Sequence, residues 1–527
     1  MLIHVPALDC RLSATQVLKL PQGLTLERGQ HWCVFGSNGA GKSALLQLLL
    51  GRLPQARGAL GFASDFDPLS DICEVSFEEQ QRLCALDNRF DISEFNKTAQ
   101  DAGTCVENLI CNGPVLHSDA SRLEHILEFL DIQHIRRQGI RYLSSGQMRR
   151  AMIARALYLE PVLLVLDNPL ESIDRYSADK IRSALTQWMG PHNATLFMCR
   201  REQQMLAGIT QVLLMDNLQA LGLYTPEAFQ TERSARLRTL SPAQLPTHLP
   251  THLPAPCAGR KAAELPAGYE HEALISLRGV SAAYGEQLIF SELHFDMHRG
   301  DHVLLEGPNG CGKSTLLGLI DGDNHKAYGQ PVYLFGRRRG SGESVWDIKA
   351  RFGVVSNDLH QRYVKGWRVL DVVVSGFFDS LGLYDDSGAS EARCAREWLA
   401  LFGLSTLGRE YYHTLSFGQQ RLVLLARAMV KQPLVLVLDE PCTGLDDYHC
   451  ELLLRMIDFI AAQGRTQILF VSHSADDVPG CITTKLLFTV DEHQSSAGCH
   501  QDTPRSRITL HRYQTQSAPV ELTTGCQ

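Results

Sequence analysis

Gly36-Ser37-Asn38-Gly39-Ala40-Gly41-Lys42-Ser43 and Gly307-Pro308-Asn309-Gly310-Cys311-Gly312-Lys313-Ser314 decide the fold of this chain. Both fit G-x-x-x-x-G-K-[ST]. In that pattern glycines let successive backbone N–H groups converge on phosphate oxygens, the lysine reaches the β- and γ-phosphates, and the hydroxyl ligates Mg²⁺. One chance match in a chain this long has a probability of roughly 2% at average residue usage; two flanked matches exclude accident. The apolar runs His31–Phe35 and His302–Glu306 read as strands entering the loops. Ser43–Leu50 and Ser314–Ile320 read as buried helices leaving them. Strand, glycine loop and helix place the phosphates at a helix N-terminus, where unpaired amides and the macrodipole favour anions.

Working outward, the motifs repeat at a fixed period. Lys42 to Lys313 spans 313 − 42 = 271 residues; Leu143-Ser144-Ser145-Gly146-Gln147 to Leu415-Ser416-Phe417-Gly418-Gln419 spans 415 − 143 = 272; Asp167 to Asp439 spans 439 − 167 = 272. The chain is a tandem duplication, and 527 residues give each half enough length for its own core. No apolar run is long enough for a membrane span, and the N-terminus lacks the charged-then-apolar order of a signal peptide, so a soluble, unexported protein is expected. Fifteen cysteines lack C-x-x-C or zinc-type spacing, which points to reduced thiols. A net charge of −8 leaves no basic footprint, so no nucleic-acid partner is expected. Residues 241–268, with a doubled Thr-His-Leu-Pro, are too proline-dense for a helix or central strand and read as a semi-rigid spacer. The expected division is therefore residues 1–228, a linker over 229–272, a second domain over 273–490, and a Gln/Ser/Thr-rich, partly disordered tail over 491–527.

Each glycine loop is followed by an apolar run ending in aspartate, Val162–Asp167 and Leu434–Asp439. Such runs suit parallel strands buried on both faces, with the carboxylate at the C-terminal end toward Mg²⁺. Between loop and aspartate, LSSGQ and LSFGQ each open a helix. With these motifs in this order, both halves resemble the nucleotide-binding domain of ABC ATPases over nearly everything outside linker and tail. The pentapeptides depart from that family's LSGGQ signature only at Ser145 and Phe417.

The resemblance implies an α/β fold: two P-loop NTPase domains in tandem, each with a mostly parallel sheet and a helical subdomain, binding ATP and Mg²⁺. It also implies an intramolecular head-to-tail clamp. In such a clamp Gly36, Ser37, Asn38, Gly39, Gly41, Lys42, Ser43 and Asp167 share a nucleotide with Ser416, Gly418 and Gln419. Gly307, Pro308, Asn309, Gly310, Gly312, Lys313, Ser314, Thr315 and Asp439 share one with Ser144, Gly146 and Gln147. Ser43, Asp167, Ser314 and Asp439 are the implied metal-side residues.

The two halves are chemically unequal. In the second, Asp439 is followed by Glu440, the implied base for the attacking water, and Phe470-Val471-Ser472-His473 supplies the implied switch histidine. Tyr284, 23 residues before the glycine loop (307 − 284 = 23), matches the adenine-stacking aromatic. In the first half Asn168 replaces the glutamate and Arg200 stands at the histidine position. No aromatic lies between residues 10 and 20. An amide cannot accept a proton from water, so this half is expected to hold ATP and turn it over slowly. Asn357 in the second repeat, and Gln80 or Gln81 in the first, lie near the place of the family's linking glutamine.

The segments FGVVSNDLH, LSFGQQRLVLLARAMVKQPLVLVLDEP and the altered SFEEQQ and LDNP resemble the molybdenum-transport branch of ABC ATP-binding proteins. That resemblance implies transport of molybdate or a related solute, a separate membrane permease subunit, and a cytoplasmic protein peripheral to the plasma membrane. The alternative is a ribosome-associated ABC translation factor. Those factors usually carry a long charged arm between domains and a glutamate in both sites; here the join is proline-rich and Asn168 breaks the pair. A DNA-repair ATPase would need a coiled-coil insertion that the sequence lacks.

Overall fold

The computed structural model describes the chain except residues 14–15, 54–59, 89–102, 112–118, 144, 172, 240–251, 259–263, 266–267, 269–271, 285–286, 322–328, 364–365, 383–387, 474–476, 491–505 and 513–527. It divides into two compact units. The first comprises Met1–Leu249 with Thr414–Gln420 and Cys442–Leu452; the second comprises Pro250–His413, Arg421–Pro441 and Leu453–Gln527.

In the first unit an eight-stranded sheet runs in the order Leu8–Arg11, Val17–Leu20, Gln219–Tyr224, Gln211–Asp216, His31–Phe35, Ala194–Cys199, Leu163–Asp167, Ile72–Val75. The last five pair in parallel. Their sequences are continuous apolar runs because both faces are covered: His31–Phe35 and Ala194–Cys199 are buried at every position. A three-stranded antiparallel sheet of Leu24–Leu26, Ile3–Val5 and Gly61–Phe62 accompanies it.

The second unit repeats the parallel order with its own strands, Phe352–Val355, Val435–Asp439, Gln467–Ser472, Val303–Glu306 and Thr484–Val490. Its antiparallel sheet is Gln287–Met297, Ile275–Tyr284, Val332–Leu334 and Arg337–Arg338. The duplication read from motif spacing is thus a duplication of strand order.

Two expected boundaries shift. Helix Pro226–Thr239 crosses the division at 228; proline at its first position fits a helix start, and Phe229 is buried edge-on against Phe35, 4.9 Å between ring centroids. Within the expected tail, Ser506–Arg512 is a strand pairing antiparallel with Thr484–Val490 along its length. It stands where Gln219–Tyr224 stands beside Gln211–Asp216. Composition hid it because an edge strand exposes polar side chains on alternate positions. In the linker, Pro254 offers its carbonyl to Gln432 Nε2 at 2.6 Å, tying that residue to the second unit.

Candidate functional site

The glycine loops are built alike. Gly39 and Gly310 have φ of 79° and 77°, and Gly41 and Gly312 have φ of 100° and 105°, a left-handed backbone that side-chain-bearing residues resist. A Cβ on Gly36 would stand 2.5 Å from the Met215 carbonyl oxygen, so the first loop glycine is dictated by close backbone approach. Helices Lys42–Leu49 and Lys313–Asp321 leave the loops. Lys42 donates to the carbonyls of Gly36 (2.7 Å) and Ser37 (2.8 Å), and Lys313 donates to those of Gly307 (2.7 Å) and Pro308 (2.8 Å). Each lysine thereby stays folded over its loop. Ser43 and Ser314 are exposed at the helix starts, whereas Thr315 is buried.

Burial, then the charge of Arg200, pulls the Lys42 ammonium down to about 8. A lysine must be charged to attract phosphate, so nucleotide affinity at this loop is expected to fall as pH rises through 8. Titrating a fluorescent ATP analogue at pH 7 and pH 9 into a Lys313→Ala chain should show a several-fold loss, and Arg200→Gln should flatten part of it. An affinity that is flat with pH would remove the argument.

The carboxylate ends are also superposable in backbone terms. Asn168 and Glu440 share a left-handed conformation (φ 46° and 48°), and their N–H groups donate to the carbonyls of Met198 and Val471, both at 3.1 Å. Asparagine tolerates that conformation; glutamate is strained in it, as functional residues often are. Only the side chains differ. Asn168 donates to Asp167 Oδ1 at 2.6 Å, an amide bridge to the strand-end carboxylate. Glu440 instead repels its neighbour: burial first, and Glu440 second, push the Asp439 carboxyl up to about 6. Two adjacent carboxylates held at such cost fit a divalent cation, which would be shared by Asp439 and the Ser314 hydroxyl together with substrate phosphates. Such a cation neutralises charge as it develops on phosphate.

His473 Nδ1 lies 3.1 Å from Glu440 Oε1, within ion-pair reach but misaligned for a hydrogen bond. At the corresponding place, Arg200 donates to Asn38 Oδ1 (3.0 Å), to the Gly444 carbonyl (2.6 Å), to Glu171, and weakly to Asn168 Oδ1 (3.4 Å). These partners all belong to the first unit. Arg200 therefore sets a fixed cation where the second repeat has His473 beside Glu440.

The signature of the second repeat is a capping box. Ser416 precedes helix Phe417–Met429; its Oγ accepts from Gln419 N (3.3 Å), and Gln419 Oε1 accepts from Ser416 N (3.0 Å). A Cβ on Gly418 would sit 2.1 Å from the His449 ring, so only glycine fits there. In the first repeat Gly146 and Gln147 lie in the first turn of helix Ser145–Tyr158, and Ser144 lies outside the described residues. Tyr284 ends strand Ile275–Tyr284; its side chain lies outside the described residues.

Asn357 opens helix Asn357–Arg362, and its amide oxygen accepts from the buried Arg421. That side-chain carbonyl, near the place of the linking glutamine, is thus engaged by a guanidinium. Gln80 lies in helix Phe77–Asn88, its N–H donating to the Ser76 carbonyl, and the side chain of Gln81 is outside the described residues. Sequence reading missed Arg201 and His449, and gave Gly444-Leu445-Asp446 as a motif without assigning Asp446 a contact. The only signal was the Arg200-Arg201 doublet after an apolar strand.

Duplicated parallel sheets, two phosphate-type loops at helix N-termini, strand-end aspartates and two signature helices define a tandem nucleotide hydrolase. The chain belongs to the ABC transporter family, whose sequence pattern matches residues 21–171 and 290–443, and it is an ATPase. It is 36% identical over 492 residues to the ABC transporter ATP-binding protein ModF of Escherichia coli K12, spanning 91% of this chain and 95% of that protein. An ABC transporter ATP-binding protein of Schizosaccharomyces pombe, C323.04, is 25% identical over 87% of this chain and 92% of its own length. Among solved structures, the complex of archaeal ribosomal stalk protein aP1 with the recycling factor aABCE1 aligns with a TM-score of 0.55. It is 15% identical, with 90% of this chain and 86% of that chain covered; this likeness shows the fold alone. Among the described residues no helix is long and apolar enough to cross a membrane.

Proposed function

We propose that this ATPase drives an ABC-type transport system through one hydrolysing and one mainly ATP-holding site. The observation that carries the reading is the matched backbone at Asn168 and Glu440 with unmatched chemistry. Glu440 orients and deprotonates the attacking water, His473 contacts the γ-phosphate, and Lys313, Ser314 and Asp439 hold phosphates and Mg²⁺. Tyr284 stacks on adenine. Lys42, Ser43 and Asp167 hold a second nucleotide whose turnover lacks a base.

The first nucleotide is completed by the signature of the second repeat. Supporting this, Thr414–Gln420, which carries Ser416, Gly418 and Gln419, clusters with Met1–Leu249 in one compact unit. ATP held at the first loop closes the clamp, and hydrolysis at Glu440 reopens it.

Molybdate or a related solute is the proposed cargo, resting on the sequence resemblance set out above. The chain then works in the cytoplasm, docked on a separate permease subunit. Affinity capture of the full chain from membrane and ribosome fractions tests this: an integral membrane subunit retained with it, and released by ATP turnover mutants differently from wild type, is the expected result. Co-sedimentation with ribosomal particles and no membrane partner would replace transport by a translation role.

A further inference from the structure

We propose that Cys33 and Cys199 form an oxidisable thiol pair beneath the first glycine loop, closed by hydrogen peroxide into a disulfide that weakens nucleotide binding at that loop. The effect on nucleotide rests on the reading of this loop as an ATP-holding site; the bond itself does not.

Cys33 lies in strand His31–Phe35, and Cys199 ends the parallel neighbour Ala194–Cys199. In their register Cys33 stands opposite Phe197 and Cys199 opposite Phe35, so the two cysteines are diagonal neighbours on one face of the sheet. Their Sγ atoms are 3.4 Å apart, and both residues are 0% exposed. The second repeat keeps the register with other residues: Leu304 stands opposite Phe470, and the buried Ser472 opposite Glu306. Packing at these two places is thus met by a leucine and a serine. Two sulfurs in contact are a property of the altered repeat.

The pair sits where a backbone shift reaches the nucleotide. Gly36 comes three residues after Cys33 (36 − 33 = 3), and its carbonyl holds Lys42 at 2.7 Å. A Cβ on Gly36 would already stand 2.5 Å from the Met215 carbonyl oxygen, so the strand end cannot shift without moving the loop. Arg200 follows Cys199 directly, and the Met198 carbonyl accepts from the Asn168 N–H. A cradle of backbone N–H groups binds phosphate only while those groups converge.

Burial first, then the bond to Cys199, push the Cys33 thiol well up, so Cys33 keeps its proton and Cys199 is the sulfur that attacks. Cys199 Sγ attacks one peroxide oxygen, the O–O bond breaks, and water leaves with the thiol proton, giving a sulfenic acid. Cys33 Sγ then displaces that hydroxyl, which departs as a second water with the Cys33 proton. Two thiols are oxidised and one peroxide is reduced to two waters. An oxidant this small suits sulfurs buried this deeply. Closing the gap from 3.4 Å to the about 2 Å of a disulfide draws the two strand ends together, and Gly36 and Arg200 with them.

The test treats the full chain with hydrogen peroxide, blocks the remaining thiols with an alkylating reagent, and maps linked peptides by mass spectrometry. In parallel, a fluorescent ATP analogue is titrated into the Lys313→Ala chain before and after oxidation. A Cys33–Cys199 linked peptide, an affinity lowered about tenfold, and recovery of both with dithiothreitol are expected. Cys199→Ser, which installs the residue type of Ser472, should bind within about twofold of its parent and ignore peroxide. If that variant does not fold, Cys33→Ala enters under the same criteria. Peroxide that oxidises other cysteines yet leaves Cys33 and Cys199 alkylated after unfolding would overturn the proposal. So would a linked pair with unchanged affinity, or a peroxide-induced loss that persists in Cys199→Ser. Should the reduced Lys313→Ala chain bind no analogue, the reading of the first loop fails instead, and the peptide map still decides whether the pair closes.

Discussion

Glu440→Gln is expected to lower steady-state ATP turnover by about 10²- to 10⁴-fold, while Asn168→Ala changes it by less than about threefold. The first figure is the usual worth of a general base, roughly 3 to 5 kcal/mol of barrier. Glutamine keeps the size and one oxygen of Glu440 and relieves the repulsion on Asp439, so ATP binding should hold or tighten. The second figure follows from Asn168 having no proton-accepting group to lose; its amide bridges to Asp167. Single-turnover hydrolysis and nucleotide retention after filtration check both, and a reversed ranking would assign catalysis to the other repeat.

Asp439→Asn should do two opposite things at once. Turnover should fall by at least about 10²-fold, since the carboxylate proposed to hold Mg²⁺ is gone. Yet without nucleotide or Mg²⁺ the variant should melt several degrees higher than wild type at pH 7.5. The sign follows from the raised carboxyl, at about 6 against an ordinary 3.8. Its proton-linked stability is fully present below pH 3.8 and is lost as pH rises through 6, so at pH 7.5 the wild type bears the whole cost of burying charge beside Glu440. Asparagine carries none. The gap between the two melting curves should therefore shrink on acidification from pH 7.5 to pH 5, and Mg²⁺ with ATP should raise the wild type more than the variant. A variant that melts lower at pH 7.5 and gains nothing would contradict the electrostatic reading.

Much of this was legible in the residues. The loops, the strand-end aspartates and the 271- to 272-residue period are local or periodic features, and local features survive reading in one dimension. The substitution of Glu440 by Asn168 is equally local. Strand Ser506–Arg512 was not legible, because an edge strand whose apolar residues are Ile508 and Leu510 alone, among Ser, Thr, His and two arginines, has the composition of a tail. Its identity comes from its partner Thr484–Val490. Arg201 was not legible for a related reason: nothing in Arg200-Arg201 says that the carbonyls it meets lie more than two hundred residues later.

The sequence by itself determined the duplicated phosphate loops, the order of motifs and the chemical inequality of the two repeats, because each depends on residue type at short, fixed spacing. Tertiary structure alone decided that Asn168 and Glu440 occupy the same left-handed backbone, and that Asp439 lies buried beside a like charge. It alone brought Asn38, Arg200 and Arg201 onto the turn Cys442–Asp446. Those are matters of distance and burial between residues far apart in the chain, and only folding sets them.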